Sequence, residues 1–174
     1  MTIHTIPWNK RYVRAIDTVF LQTWLDTYQN HEYNIKKIDI IEHFWKLAPR
    51  LERRKIKLES VNHNEIRIMA KEWNKIIGVC VAKKDNKKNI LESIYILWSH
   101  QWKGIWRKLW GDVIEFFDKR LPVVVEVASY NQNAIAFYKK LGFYRHTWEH
   151  HNNDFHNLKN GKSIPIITMI LSHI

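Results

Sequence analysis

Two apolar runs separated by an amphipathic stretch constrain the fold of this chain more than any other feature. They lie at residues 94–98 and 121–127, and the second is almost unbroken after Pro122, which is typical of a strand buried on both faces. Between them Ile105, Leu109 and Val113 recur at helical spacing, which predicts a helix over residues 104–118. A strand, a helix and a strand in this order predict a parallel pair joined by a right-handed crossover. The chain is therefore predicted to be an α/β protein.

The junction between the first of these strands and its helix contains Gly104. A strand that breaks at a glycine and leads into a helix leaves backbone N–H groups without partners at the start of the helix. Together with the helix dipole, these groups form an anion site that suits a pyrophosphate. Lys103, Arg107 and Lys108 add positive charge beside it, although each of them alone is better explained as a solvated surface residue.

The remaining elements are predicted from periodicity and turn residues. The N-terminal half is predicted to hold a short strand at residues 12–15, and then a helix capped by Asp17 or Thr18 and running to about residue 28. A second helix is predicted from Asn34 or Lys37 to about residue 47, and Pro49 either ends it or begins a new turn. Residues 50–57 are basic, and a solvated face is favoured over a contact with phosphate or an acidic partner.

The second half is predicted to supply most of the sheet. Residues 65–71 and 76–82 form a hairpin and residues 90–98 a third strand, while residues 144–148 and 164–171 form the last antiparallel strands. A polar, mobile connection is expected at residues 150–162, and a helix at residues 132–141 is closed by Gly142. The whole is predicted to be a mixed sheet with helices on both sides.

Composition sets further bounds. A chain of 174 residues with 45% hydrophobic content is most simply one domain, here residues 1–174. It contains neither an apolar run of ~20 residues nor an N-terminal signal core, so a cytoplasmic protein without a membrane span is expected. The lone Cys80 lies in an apolar run and is interpreted as a core residue rather than a nucleophile.

Two motifs carry a resemblance to a known family. The chain resembles the GNAT superfamily of N-acetyltransferases in the junction Gln101-x-x-Gly104-x-Trp106 and in the later stretch Asn131-x-x-Ala134-x-x-x-Tyr138-x-x-x-Gly142-Phe143. The likeness covers residues 65–145 well and the flanks loosely. It implies a mixed, mostly antiparallel sheet of about six or seven strands, splayed between the fourth and fifth strands, with helices on both faces.

The resemblance also implies an activity, the transfer of an acetyl group from acetyl-CoA to an amine by direct attack, without a metal. The acceptor amine must lose a proton, because an amine of pKa ~10.4 is almost wholly charged at neutral pH. In the family, main-chain groups matching Ile96 and Trp98 hold the acetyl and pantetheine parts. An asparagine matching Asn131 helps to hold the helix at residues 132–141 and the pantetheine. The pyrophosphate contacts are carried over to the junction residues Gln101, Trp102, Lys103, Gly104, Ile105, Trp106 and Arg107.

Tyr138 is predicted to be the general acid for the leaving thiolate, since the matching family tyrosine lies near the sulfur; the alternative is an aromatic that only packs on the sheet. Glu92 is a candidate general base, but a solvent-facing strand residue or an anchor for the acceptor amine remains equally open. His100 is a weaker candidate.

Trp106 departs from the family pattern, which has glycine or alanine there. Its indole either points away along the helix or fills part of the pyrophosphate site. The alternative function is therefore a catalytically weak or inactive module that binds CoA or another anion.

Charge and histidines leave other partners open. The net charge of +11 attracts polyanions, of which CoA is one, but no motif that reads nucleic acid accompanies it. His150, His151 and His156 with Asp154 lack the spacing of a zinc site, so no metal is expected. The acceptor, a small-molecule or a protein amine, and a homodimer are left undecided.

Overall fold

The fold is that of a computed structural model, which describes residues 2–59, 62–146 and 155–174. Its strands are β1 (Ile3–Pro7), β2 (Glu65–Glu72), β3 (Lys75–Lys84), β4 (Asn89–Ile96), β5 (Val123–Ala128), β6 (Tyr144–Arg145), β7 (Phe155–Asn157) and β8 (Ser163–Leu171). Its α-helices are α1 (Val13–Thr27), α2 (Lys37–Phe44), α3 (Leu47–Glu59), α4 (Ile105–Phe116) and α5 (Gln132–Lys140).

The strands form a mixed, mostly antiparallel sheet. Their order is β1-β2-β3-β4-β5-β8-β6, and β7 pairs with β8 beside this path. The only parallel pair among the described strands is β4–β5, with α4 as its crossover. The predicted fold class is confirmed, and the described residues contain eight strands rather than six or seven.

The sheet opens between β4 and β5. Their parallel pairing covers only residues 89–91 of β4 and 123–125 of β5. Beyond it, β4 stays paired with β3 as far as Ile96, and β5 stays paired with β8 as far as Ala128. The two strands therefore diverge toward their carboxyl ends and leave a V-shaped gap, as the resemblance implies.

Helices cover both faces of the sheet. On one face Leu109 and Val113 of α4 and Ile135 of α5 pack in one hydrophobic cluster with Cys80 of β3. On the other face Ile16 and Val19 of α1 pack on Val79, the neighbour of Cys80 along the strand. Alternate residues of a strand point to opposite faces, so the two clusters lie on opposite sides of the sheet.

The strand predicted at residues 12–15 is wrong. Val13 begins α1, and the first strand is β1, which pairs with β2. Four residues of mixed polarity fit a helix start as well as a strand, so the short pattern could not distinguish them. Asp17 does not cap this helix. It lies inside α1, 3% exposed, where its carboxylate bonds Arg50 at 2.5 Å and Arg54 at 3.2 Å.

The second predicted helix is split in two. The element α2 ends at Phe44, and α3 begins at Leu47 with Pro49 in its first turn, so of the two alternatives Pro49 begins a new turn. Pro49 is the third residue of α3, where the missing N–H would have had no partner within the helix. The basic stretch at residues 50–57 is helical, but Arg50 and Arg54 face Asp17 instead of solvent.

Two late predictions change in extent. The expected connection at residues 150–162 contains β7, which forms a hairpin with β8. The strand expected at residues 144–148 is β6, and its last two predicted residues lie outside the described part of the chain. So do His150, His151 and Asp154.

Candidate cofactor-binding and catalytic site

The loop between β4 and α4 presents a row of unpaired donors. Gly104 has a left-handed backbone, with φ of 70°, and lies at the N-cap of α4 without a side-chain cap. Among the described residues, no acceptor bonds the N–H groups of Trp102, Lys103, Gly104, Ile105 or Trp106. Five free N–H groups at a helix start form the type of site that binds a diphosphate.

A carboxylate from another part of the sheet holds this loop in place. Glu72, at the end of β2, accepts a hydrogen bond from His100 Nε2 at 3.2 Å, and Lys103 Nζ lies 3.6 Å from its other oxygen. His100 is buried, and its Nδ1 lies 2.8 Å from the Ser99 hydroxyl. The loop is therefore anchored to the β2–β3 turn rather than free at its base.

The end of β4 offers its main chain to the gap. The Gln101 side-chain amide donates to the Ile96 carbonyl at 3.4 Å, which ties the loop to the strand. The Trp98 side chain is exposed, so any contact made deeper in the gap falls to backbone atoms. Glu92 lies at the surface and forms an ion pair with Lys83.

Trp106 contacts the second helix of this face. Its indole packs edge-to-face on Phe137 of α5, with ring centroids 4.9 Å apart, and it is partly buried against the core. The Arg107 guanidinium lies over the same indole, 5.2 Å from its centroid. The ring therefore bridges α4 and α5.

The start and end of α5 are both fixed locally. Asn131 is its N-cap, and its side-chain oxygen accepts from the Ala134 N–H at 3.1 Å. Gly142 follows the helix with φ of 91°, a conformation that glycine adopts without strain. These contacts set the axis of the helix and so the position of Tyr138.

Tyr138 projects from α5 into the buried centre of the molecule. It is 6% exposed and packs between Phe137 and Phe143. Burial raises the pKa of its phenol well above the usual range, and the nearby Cys80 and Tyr95 act in the same direction. The group is therefore protonated at neutral pH and can donate, as a general acid must.

Two further phenols approach the same place from the opposite face. The hydroxyls of Tyr28, which follows α1 as its C-cap, and Tyr95 in β4 lie 3.0 Å apart. Burial raises both pKa values, and Tyr138 adds to the rise at Tyr28. Sequence reasoning missed this pair because the two residues are 67 positions apart and belong to no motif.

The α1 face also carries an aromatic cluster beside the gap. Trp24 stacks on His43 at 4.9 Å and meets His156 of β7 edge-on at 5.1 Å. Burial lowers the pKa of His43 to about 4, helped by the nearby His156, and lowers that of His156 as well. Both imidazoles are thus neutral at pH 7. The exposed carboxylate of Glu126 in β5 opposes this lowering of the His156 pKa. Sequence reasoning also missed Glu126.

The hairpin that carries His156 is fastened to α2. Asp39, 5% exposed, accepts from Lys162 Nζ and from the Asn160 amide, each at 2.7 Å. These bonds lower the pKa of Asp39 despite the opposing effect of its desolvation. The α2 helix and the β7–β8 hairpin therefore form one wall beside the splayed strands.

Other kinds of site find no support in the described residues. They contain no group of three or more His, Cys, Asp or Glu side chains able to hold a metal ion. Within the same ranges, no helix has the length and apolar character needed to cross a bilayer. Burial raises the pKa of Cys80 far above its usual value, so its thiol is a buried core group.

Comparison with known proteins identifies the family. The model of the acetyltransferase (GNAT) family matches residues 19–143, most of the chain. The chain belongs to the GNAT acetyltransferase family. No curated protein sequence matches it.

Solved structures share the GNAT fold over nearly the whole chain. The PaiA N-acetyltransferase of Thermoplasma acidophilum, in complex with coenzyme A, is 20% identical with a TM-score of 0.69, and the match covers 99% of this chain and 100% of that one. The ribosomal-protein-S18-alanine N-acetyltransferase of Escherichia coli is 16% identical with a TM-score of 0.64, over 99% and 94%. A GNAT acetyltransferase of Streptococcus pneumoniae is 19% identical with a TM-score of 0.67, over 98% and 99%. At these identities the likeness shows a shared fold and nothing beyond it.

Proposed function

We propose that this GNAT protein transfers an acetyl group from acetyl-CoA to an amine by direct attack. The observation that supports it best is the row of five free N–H groups at the carboxyl end of β4, beside the gap between β4 and β5. A diphosphate on those donors would place a pantetheine arm along β4, where the residues beyond Leu91 have no partner in β5. A neighbour of the same fold, PaiA, was solved with coenzyme A.

In the proposed reaction the neutral amine attacks the thioester carbonyl carbon, and the carbon–sulfur bond breaks. Tyr138 donates its phenolic proton to the departing thiolate, and the proton lost by the amine passes to Glu92, directly or through water. Main-chain groups at Ile96 and Trp98 hold the acetyl and pantetheine parts. The diphosphate is assigned to residues 101–106 with Arg107, and Asn131 fixes α5.

The acceptor is proposed to be a small-molecule amine or an amine of a protein. One neighbour is named for an alanine of ribosomal protein S18, but at 16% identity the likeness extends only to the fold and does not select an acceptor. A net charge of +11 disfavours a polyamine unless the acceptor side is locally acidic. The cytoplasm is the proposed compartment, and a homodimer is compatible with the proposal.

Thiol release tests the activity. The purified protein is incubated with acetyl-CoA and a panel containing alkylamines, amino acids, an aminoglycoside and peptides with a free N-terminus or lysine. The proposal expects amine-dependent release of CoA thiol with at least one acceptor class. Absence of release with every class, together with absence of CoA binding by calorimetry, would rule it out.

The second candidate is a weak or inactive module that binds CoA or another anion, and the packing of Trp106 on Phe137 is the observation that favours it. Trp106→Gly removes the bridge between α4 and α5. If the indole obstructs the phosphates, CoA affinity rises at least ~10-fold, which corresponds to ~1.4 kcal/mol. Unchanged or weaker binding removes the reason for this candidate.

A further inference from the structure

The side chain of Trp102 has no role in the site described so far. It is 92% exposed, the highest value among the large hydrophobic residues of the described chain. In those same ranges its ring makes no stacking, cation–π or hydrogen-bond contact. An indole that stays in solvent without a partner lacks the stabilisation that burial of its apolar surface would give.

The backbone of Trp102 is also unusual. Its φ is 72°, in the left-handed region that bulky side chains rarely adopt, and only Asn34 and Trp73 share this property among the described non-glycine residues. Such conformations cluster at ligand-binding sites, where binding compensates for the strain. The backbone conformation alone does not indicate which ligand binds, but the position of the residue does.

Trp102 contributes the first of the five free N–H groups, so its side chain is attached to the backbone at the proposed diphosphate site. The coenzyme is a linear molecule whose sulfur, under the proposed function, lies near Tyr138 in the buried centre. The nucleotide must then leave the diphosphate on the opposite, solvent side. The indole is exposed to solvent at the diphosphate site, and the adenine is only one ribose away from the diphosphate.

We propose that the indole of Trp102 stacks on the adenine of the coenzyme and makes the nucleotide a determinant of affinity. This inference rests on the proposed function and assigns the nucleotide end of the same site. Stacking between a base and an aromatic side chain is sequence-tolerant and strong enough to change affinity about tenfold or more. The neighbouring Arg107 and Lys108 supply charge to the phosphates but offer no flat apolar surface.

The test compares three variants with two ligands, CoA and 4′-phosphopantetheine, which lacks the nucleotide. Trp102→Asn removes the ring and keeps a residue that tolerates left-handed backbone, while Trp102→Phe keeps a ring. Trp45→Asn is the matched control, because Trp45 is an indole 75% exposed at the C-terminal end of α2, on the other face of the sheet. Calorimetry gives each affinity, and quenching of indole fluorescence at saturating CoA gives a second readout.

Trp102→Asn is expected to weaken CoA about tenfold or more, to leave 4′-phosphopantetheine within ~2-fold, and to remove part of the quenching. Trp102→Phe should retain most of the affinity, and Trp45→Asn should match the parent. Unchanged CoA affinity in Trp102→Asn, or an equal loss for both ligands, overturns the inference. Equal binding of the two ligands by the parent also overturns it while leaving the proposed function intact, whereas a parent that binds neither ligand contradicts the proposed function itself.

Discussion

At the scale of single residues, the proposed reaction depends on Tyr138 as the general acid. Tyr138→Phe removes one hydroxyl from a packed ring and should lower kcat by about 10²-fold or more, the usual worth of a general acid. CoA affinity should stay within about 2-fold, because the ring still packs on Phe137 and Phe143. Steady-state kinetics and calorimetry measure the two effects. Tyr144→Phe is the control, since that phenol is exposed and bonds Ser172 at 3.0 Å.

The buried phenol of Tyr138 also leads to a prediction about the pH dependence of kcat. Its pKa is raised by burial, so the acid stays protonated throughout the alkaline range in which most proteins remain folded. We expect no alkaline loss of kcat from this group up to about pH 9, one unit below the ordinary tyrosine value. A decline below pH 9 that Tyr138→Phe abolishes would contradict the raised pKa of this phenol.

Two carboxylates compete for the role of base. Glu92 lies on β4 in an ion pair with Lys83, and its charge raises the pKa of Tyr95, which places it near the phenols. Glu126 lies on β5 near His156. We expect Glu92→Gln to lower kcat about 10²-fold. Glu126→Gln should mainly raise KM for the acceptor, and the reverse pattern would transfer the role to Glu126.

Residues within a motif could be predicted from the sequence, and residues that meet through the fold could not. Gln101, Gly104 and Asn131 occupy positions with a local reason: a loop, a helix start and an N-cap. Glu72 and His100 meet across 28 positions, and no spacing rule indicates such a contact.

At the scale of elements, α3 is attached to the rest of the molecule by charge. None of its residues is fully buried, yet Arg50 and Arg54 reach the buried Asp17 of α1, and Arg54 also lies 4.2 Å from the centroid of Phe20. This explains why a strongly basic stretch, predicted as a solvated face, is in part an interior contact.

Asp17→Asn should therefore destabilise the protein by about 3 kcal/mol, because it leaves two largely buried guanidinium groups without their carboxylate. Glu52→Gln removes an exposed pair with Lys55 and should cost less than about 1 kcal/mol. Urea unfolding measures both free energies. A change below ~1 kcal/mol in Asp17→Asn would show that α3 is held by other contacts.

The elements predicted correctly are those with long, regular patterns. The α4 and α5 helices have helical periodicity, and the strands β2 to β5 have alternating polarity or apolar runs. The β1 strand was missed because five residues, one of them a proline, carry little pattern. Its partner β2 begins 58 positions after β1 ends, at residues 65 and 7.

At the scale of the whole molecule, stability should depend on pH through the cluster around Trp24. The pKa of His43 is about 4 in the folded protein, because of burial and then the nearby His156, Lys159 and Arg50, against about 6.5 when unfolded. The unfolded chain thus binds a proton between these values that the folded one does not, so stability falls as pH drops from 6.5 to 4.

His43→Phe keeps a ring stacked on Trp24 and removes this titration. Since His43 is only half-buried, we expect a modest effect of about 1 kcal/mol, seen as a Tm that falls roughly 2–4 °C less between pH 7 and pH 4.5 than in the parent. Thermal unfolding across that range measures it. Parallel curves for the two proteins would refute the assignment.

The central claim joins these scales: the N–H groups of residues 102–106 hold a diphosphate while Tyr138 faces the sulfur. A crystal structure of the protein with bound CoA tests it most directly. We expect diphosphate oxygens within about 3.2 Å of those backbone nitrogens and the sulfur within hydrogen-bond reach of the Tyr138 hydroxyl. A diphosphate bound elsewhere, or a Tyr138 hydroxyl turned away from the sulfur into the core, would contradict it.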